Sequence, residues 1–203
     1  VIERIEEKAR EGTRSASGKK SFKVHARFRE KGSYKTKWKS KGPPEPRIIY
    51  NLRELESALV STLIIVEGEK TVEAISSRNR PATTWAFGSY SVLQNDWSPV
   101  LSFEKLILIP DNDQKSKDAM MKLAMHLVED KEYLIEQIHW IEPPKSFPDH
   151  WDLADTLPED YEGDKLSFLA SNIPFTEQHP DYKNTWNYYK LNKLQGERDR
   201  ENE

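Results

Sequence analysis

Two short apolar runs constrain this chain more than any other feature. TLIIV at 62–66 and KLILI at 105–109 each stop at carboxylates, Glu67 after the first and Asp111 and Asp113 after the second. Five-residue, non-alternating runs of this kind are too short for a buried helix and read as buried strands. A helical pattern follows each: EKTVEAISS after the first, and residues 116–130 after the second, where Ala119, Met120, Leu123, Ala124, Leu127 and Val128 recur at helical spacing. ATTWAF, ended by Gly88, and IEQIHWI read as further strands, and 164–172 as a last helix. NLRELESALV reads as a helix capped by Asn51, with Leu52, Leu55 and Leu59 on one face. Apolar strands alternating with helices imply an α/β fold, a parallel sheet covered on both faces. In such sheets ligands sit at the carboxyl ends of the strands. Glu67, Asp111 and Asp113, distant in the chain, are therefore expected to meet on one rim.

Composition narrows the class. In 203 residues the hydrophobic fraction is 36% and the charged fraction 32%, so part of the chain is expected to add little to a core. No apolar stretch is long enough to span a bilayer and no signal peptide is evident. The absence of cysteine excludes disulfides and thiolate zinc sites and fits a cytoplasmic protein. The chain begins at Val1, which points to an excised piece of something longer. Its charge is uneven: residues 1–47 hold 15 Lys/Arg against 6 Asp/Glu, and the remainder 16 against 28. The division expected is a basic segment at 1–47, the α/β domain at 48–173 and a charged tail at 174–203, with a helix around Trp186–Leu194.

Within the basic segment, Phe22, Val24, Ala26 and Phe28 alternate with Lys23, His25, Arg27 and Arg29. After the turn EKGS, Tyr34, Thr36 and Trp38 alternate with Lys35, Lys37 and Lys39. Period two around a glycine-containing turn predicts a β-hairpin with a cationic face. Lys23, Arg27, Arg29, Lys35, Lys37 and Lys39 are then candidate phosphate contacts, with a solvated, edge-protecting face as the alternative.

Three carboxylates on one rim repel one another unless a cation is present. Without cysteine, the ion expected is a hard one with oxygen ligands, Mg²⁺ or Mn²⁺. Asp113 has a second reading, as the cap of the helix beginning near Ser116. DHWDLADTL adds Asp152 and Asp155, which either reach the same rim or stabilise a helix N-terminus.

LIIVEGEKTVEAI, TTWAFGS, LILIPDNDQKSKDAMMKLA and WDLADTLPED, in this order and spacing, resemble a Toprim domain of the primase type found in phage, mobile-element and bacterial replication proteins. GPPEPRIIYNL resembles the segment that leads into the first strand of such domains, and the likeness covers about residues 38–160. It implies a Rossmann-like Toprim fold behind the basic hairpin. It also implies a DNA primase-like nucleotidyltransferase acting on a single-stranded DNA template with nucleotides and Mg²⁺ or Mn²⁺. By the same resemblance Glu67 is a general acid/base or metal contact, Asp111 and Asp113 are metal ligands, Asp152 belongs to the downstream acidic motif with Asp155 beside it, and Gly88 lets backbone approach the site. Lys70 and Lys115 are candidate phosphate contacts from their charge and position, or else solvated helix ends. The chain lacks the cysteines of a zinc-binding module and a Walker A motif, so a replicative helicase would belong elsewhere in the protein or to another chain. A Toprim nuclease and a catalytically silent nucleic-acid-binding module remain the alternatives.

Overall fold

The computed structural model describes residues 26–29, 36–39, 42–76, 80–184 and 187. The chain divides into two compact units, 1–45 and 46–203. In the first, β1 (Ala26–Arg29) pairs antiparallel with β2 (Thr36–Lys39). The hairpin forms, but its register departs from the expected common cationic face: Arg27 stands opposite Trp38, Phe28 opposite Lys37 and Ala26 opposite Lys39. Directly opposed positions share a sheet face, so basic and apolar positions mix on both faces. Lys37 is exposed, whereas Lys23 and Lys35 lie outside the described residues.

The second unit is built on β4 (Thr62–Val66) and β7 (Lys105–Ile109), which pair in parallel along their whole length, Val66 against Ile109. β5 (Ala82–Thr83) flanks β4, and β8 (Ile138–Trp140) flanks β7, both parallel. β9 (Ile173–Pro174) closes the far edge antiparallel, giving the order β5-β4-β7-β8-β9. A separate parallel bridge joins β3 (Arg47–Ile48) to β6 (Asn95–Asp96). The fold is thus α/β with a central sheet dominated by parallel strands.

Side chains of the central strands alternate between two cores. Leu63, Ile65, Leu106 and Leu108 pack with α3 (Gln114–Asp130), while Ile64, Val66, Ile107 and Ile109 pack with α2 (Glu69–Ser76) and α4 (Lys165–Ala170). Burial of both faces explains why these strands are apolar without alternation. The helices leaving the adjacent strands β4 and β7 therefore lie on opposite faces of the sheet. From β4 the chain steps outward to β5 and then returns to β7 on the other side of β4. That reversal is a topological switch point at the carboxyl ends of β4 and β7, the place where open α/β sheets bind ligands.

Several local expectations change. α1 spans only Leu52–Glu56; Asn51 takes φ 66° and makes no side-chain cap bond. Its Nδ2 donates instead to the Ala82 carbonyl (3.4 Å). Leu59, beyond the end of that helix, is fully exposed, so the Leu52/Leu55/Leu59 stripe buries only Leu55 deeply. The strand expected at ATTWAF stops after Thr83, whose hydroxyl donates to the Tyr50 carbonyl (2.6 Å), and the indole of Trp85 turns back to the Gly88 carbonyl (2.8 Å). In the IEQIHWI run, residues 135–137 form a 3₁₀ turn and only Ile138–Trp140 are strand. The segment beginning at 174 contributes to the core. Pro174 lies in β9, and Phe175, at the start of α5 (Phe175–Gln178), is 0% exposed against Trp140 (5.9 Å between ring centroids). The helix expected at 186–194 lies outside the described residues, apart from residue 187. Among the described residues no helix is long and apolar enough to cross a membrane.

Candidate active site

Because Val66 and Ile109 are register partners, Glu67 and Pro110 follow them side by side and Asp111 comes one residue later. Neighbouring strands lie roughly 4.8 Å apart, so the two acids share one rim of the sheet. Gly68 makes the turn into α2 at φ 89°, a conformation that favours glycine. Its N–H donates to the hydroxyl of the buried Thr84 (3.0 Å). The loop after β5 then brings the Ser89 hydroxyl to Glu67, donating to Oε1 at 2.8 Å. The other oxygen, Oε2, is buried with no hydrogen-bond partner.

Asp111 is the electrostatic centre of the site. Burial, then the negative charges of Glu67, Asp152, Asp113 and Asp155 in that order, push its carboxyl up to about 8. Four acids from three segments therefore act on one carboxylate. Asp113, two residues on, moves the other way. Burial opposes its ionisation, but the Ser116 backbone N–H at 2.9 Å and the His150 imidazole at 2.8 Å outweigh that and hold it below the ordinary carboxylate value. It caps α3 through that Ser116 N–H, and Ser116 Oγ in turn accepts the Asp111 N–H (2.9 Å). The helix-cap reading of Asp113 is thus realised, and it starts α3 two residues earlier than the apolar pattern suggests.

Asn112, between the two acids, ties in the third segment. Its Nδ2 donates to the carbonyls of Phe147 (2.9 Å) and Pro148 (3.1 Å), its N–H to Trp151 O (2.9 Å), and its carbonyl accepts from His150 N–H (3.2 Å). Those four bonds bring Asp152 to the rim. Asp152 Oδ1 accepts the N–H groups of Ala154 (2.6 Å) and Asp155 (3.2 Å), closing a tight turn. Lys70, expected as a phosphate contact, is 3.0 Å from Asp155 Oδ1 and 3.7 Å from Asp152 Oδ2. The hydrogen bond to Asp155 leads the causes that raise the Lys70 pKa, and the same bond lowers that of Asp155. Lys115 is exposed in the first turn of α3. Gly88, at φ 73°, carries the carbonyl that receives Trp85 and precedes Ser89. The hairpin residues Arg27, Arg29, Lys37 and Lys39 belong to the other unit.

Among the described residues no group of three or more His, Asp or Glu stands in an arrangement that would hold a metal ion. Asp113, Asp152 and Asp155 are engaged by protein donors. Glu67, with one oxygen buried and unpartnered, and Asp111, crowded by negative charge, are the pair whose chemistry fits a hard cation, because Mg²⁺ uses one or two carboxylates and completes its shell with water and phosphate. Ser89, Asn112 and His150 were not singled out from sequence. Ser89 follows Gly88 in the TTWAFGS stretch, Asn112 lies between two candidate acids, and His150 falls two residues before Asp152 in DHWDLADTL, which is the only signal the sequence offers for them.

No family model matches the chain, and no curated protein matches it. Among solved structures, it is similar to a DNA primase domain from Pseudomonas aeruginosa, with 14% identity over 77% of this chain and 49% of that one and a TM-score of 0.47. It is also similar to the DnaG catalytic core (15% identity, 75% of this chain and 53% of that one, TM-score 0.48). A third similar structure is the RNA polymerase domain of Mycobacterium tuberculosis primase DnaG (18% identity, 79% and 54%, TM-score 0.43). The chain thus spans about half the length of the structures it matches.

Proposed function

We propose that this unit is a primase-type Toprim domain that carries out metal-dependent nucleotidyl transfer on a single-stranded DNA template. The observation that supports this most is the convergence of Glu67, Asp113, Asp152 and Asp155 on Asp111 at the switch point of a parallel sheet, with one Glu67 oxygen left buried and unpartnered. In nucleotidyl transfer a hydroxyl attacks the α-phosphorus of a nucleoside triphosphate and pyrophosphate leaves. A rim of carboxylates repels that triphosphate unless the negative charge is offset. Glu67 and Asp111 would hold a divalent cation, which when bound supplies charge neutralisation at the phosphates. The chain's own groups do the positioning. Ser89 fixes the Glu67 carboxylate and leaves Oε2 to accept a proton or a ligand; the α3 cap and Ser116 fix the backbone of Asp111; Lys70 offsets the charge of the outer acids Asp152 and Asp155.

Calorimetric titration with Mg²⁺ and with Mn²⁺, on wild type and Asp111→Asn, tests the metal assignment: heat of binding is expected for wild type and lost in the variant. Unchanged binding in the variant removes the reading. Incubating the protein with a labelled single strand, nucleotides and Mn²⁺ then tests the reaction. Extension supports the proposal, while shortening identifies a nuclease using the same acids.

A further inference from the structure

Two exposed aromatic rings flank Ser89, the residue that holds Glu67. Phe87 is 41% exposed and Tyr90 85% exposed. Phe87 has φ 71°, a left-handed conformation that is strained for a bulky aromatic residue. Such strain persists only where the surroundings impose it, and it gathers at functional sites. Here Phe87 is fixed from both sides: its carbonyl accepts the Ser91 hydroxyl (2.8 Å), and the Arg47 guanidinium lies 4.7 Å from its ring centroid. Arg47 is itself held by Gln94 Oε1, to which Nη1 donates at 2.6 Å. Tyr90 is the second residue of the 3₁₀ segment Ser89–Gln94, where residues three apart align, so Leu93, 40% exposed, continues its ridge. Buried Ser91 and Val92 anchor the opposite side of that segment. Two exposed rings, one of them under a cation, thus stand one to two residues from the side chain that bonds Glu67 at the acidic rim.

We propose that Phe87, Tyr90 and Arg47 form a stacking ledge for an unpaired nucleobase at the rim of the acid cluster. The inference rests on the nucleotidyl-transfer reading for its ligand class and adds a base-binding element to it. Stacking suits this location because it does not depend on phosphate contacts, which the neighbouring carboxylates disfavour, and because every base offers a π-face. Arg47 adds a cation–π contribution to the same surface. The base has two possible sources, a single strand or a free nucleoside triphosphate, and both present the same face to the rings.

The test uses the whole chain and 2-aminopurine, a base whose fluorescence is quenched on stacking. It is supplied in one arm within a single strand of about twelve nucleotides, within the footprint of such sites, and in the other as the free triphosphate. Wild type is expected to quench at least one of the two probes, and the arm that responds assigns the source. Tyr90→Ala and Phe87→Gly are each expected to weaken that binding roughly tenfold or more. Glycine favours the backbone at 87, so Phe87→Gly retains the fold, which its urea midpoint verifies. The comparison is run in EDTA and again in Mg²⁺, and the ring variants must weaken binding in both. Failure of the metal reading would show instead as Asp111→Asn leaving the Mg²⁺ dependence unchanged, with the ring effect intact. The ledge is overturned if neither probe is quenched, if both ring variants bind as wild type does, or if a strand with abasic sites throughout binds wild type as tightly as the intact strand.

Discussion

Replacing Asp111 by asparagine should stabilise the cation-free protein, and the gain should depend on pH. In the folded chain burial and four neighbouring acids raise the Asp111 carboxyl from 3.8 to about 8. The folded state therefore holds this proton more tightly than the unfolded state, and stability falls as pH rises. The Asp111 contribution is fully present below the unfolded value of 3.8 and is lost progressively until the folded value near 8 is passed. Each pH unit within that window costs about 1.4 kcal/mol, so the full penalty at pH 7 is roughly 4 kcal/mol. Water entry and the sharing of charge with Glu67 and Asp152 reduce it, to about 2 kcal/mol. Asparagine has nearly the same shape and no charge to lose. The measurement is urea unfolding of wild type and Asp111→Asn in EDTA at pH 4.5 and 7.5. Because the two proteins share every other titrating group, their difference reports Asp111 together with its coupling to the neighbouring acids. The variant should match wild type within about 0.5 kcal/mol at the lower pH, where little of the window has been crossed, and exceed it by about 2 kcal/mol at the higher. Mg²⁺ at pH 7.5 should then stabilise wild type and leave the variant unchanged. A difference that stays constant between the two pH values, or a variant less stable than wild type at pH 7.5, would refute the electrostatic account of the site.

Three further outcomes follow from the packing. Asn112→Ala removes two side-chain donors to the 147–148 carbonyls and should cost about 1–3 kcal/mol in urea unfolding, with faster amide exchange over 147–152. Phe175→Ala empties a fully buried ring site against Trp140 and should cost about 3–5 kcal/mol, read as a drop in thermal midpoint; an unchanged midpoint would show that the segment after 174 is dispensable. Burial lowers the pKa of His179, which packs edge-on to Trp140 (4.6 Å). The unfolded state thus takes up this proton first, so the stability His179 contributes is present above 6.5 and is lost as pH falls through the lowered folded value. His179→Gln should flatten that acid limb in unfolding measured from pH 7 to pH 5.

The sheet and its acidic rim were legible because a doubly covered strand must be apolar throughout, and the first polar residue after it marks the strand end. Glu67 and Asp111 are located by that rule alone. What stayed hidden depended on the chain's path. Period two assigns Arg27 and Lys37 to faces of their own strands, but not which residue of β2 stands opposite Arg27, and the observed pairing with Trp38 breaks up the expected cationic face. Leu59 kept helical spacing beyond a helix that ends at Glu56. Phe175 sat in a charged segment, and only the antiparallel pairing of β9 with β8 shows why it is buried. Ser89 and Asn112 act through bonds to residues far away in the chain, which no local pattern encodes.

Asn112 grips its neighbouring loop through main-chain atoms: it donates to the oxygens of residues 147, 148 and 151 and accepts the amide hydrogen of residue 150. Such a clasp follows the course of the chain and is indifferent to side-chain identity. Only the exposed positions 148 and 149 are accordingly free to exchange side chains, because Phe147 and Trp151 are buried in the core and His150 bonds Asp113. Asp152 would remain at its post while those two positions were rewritten.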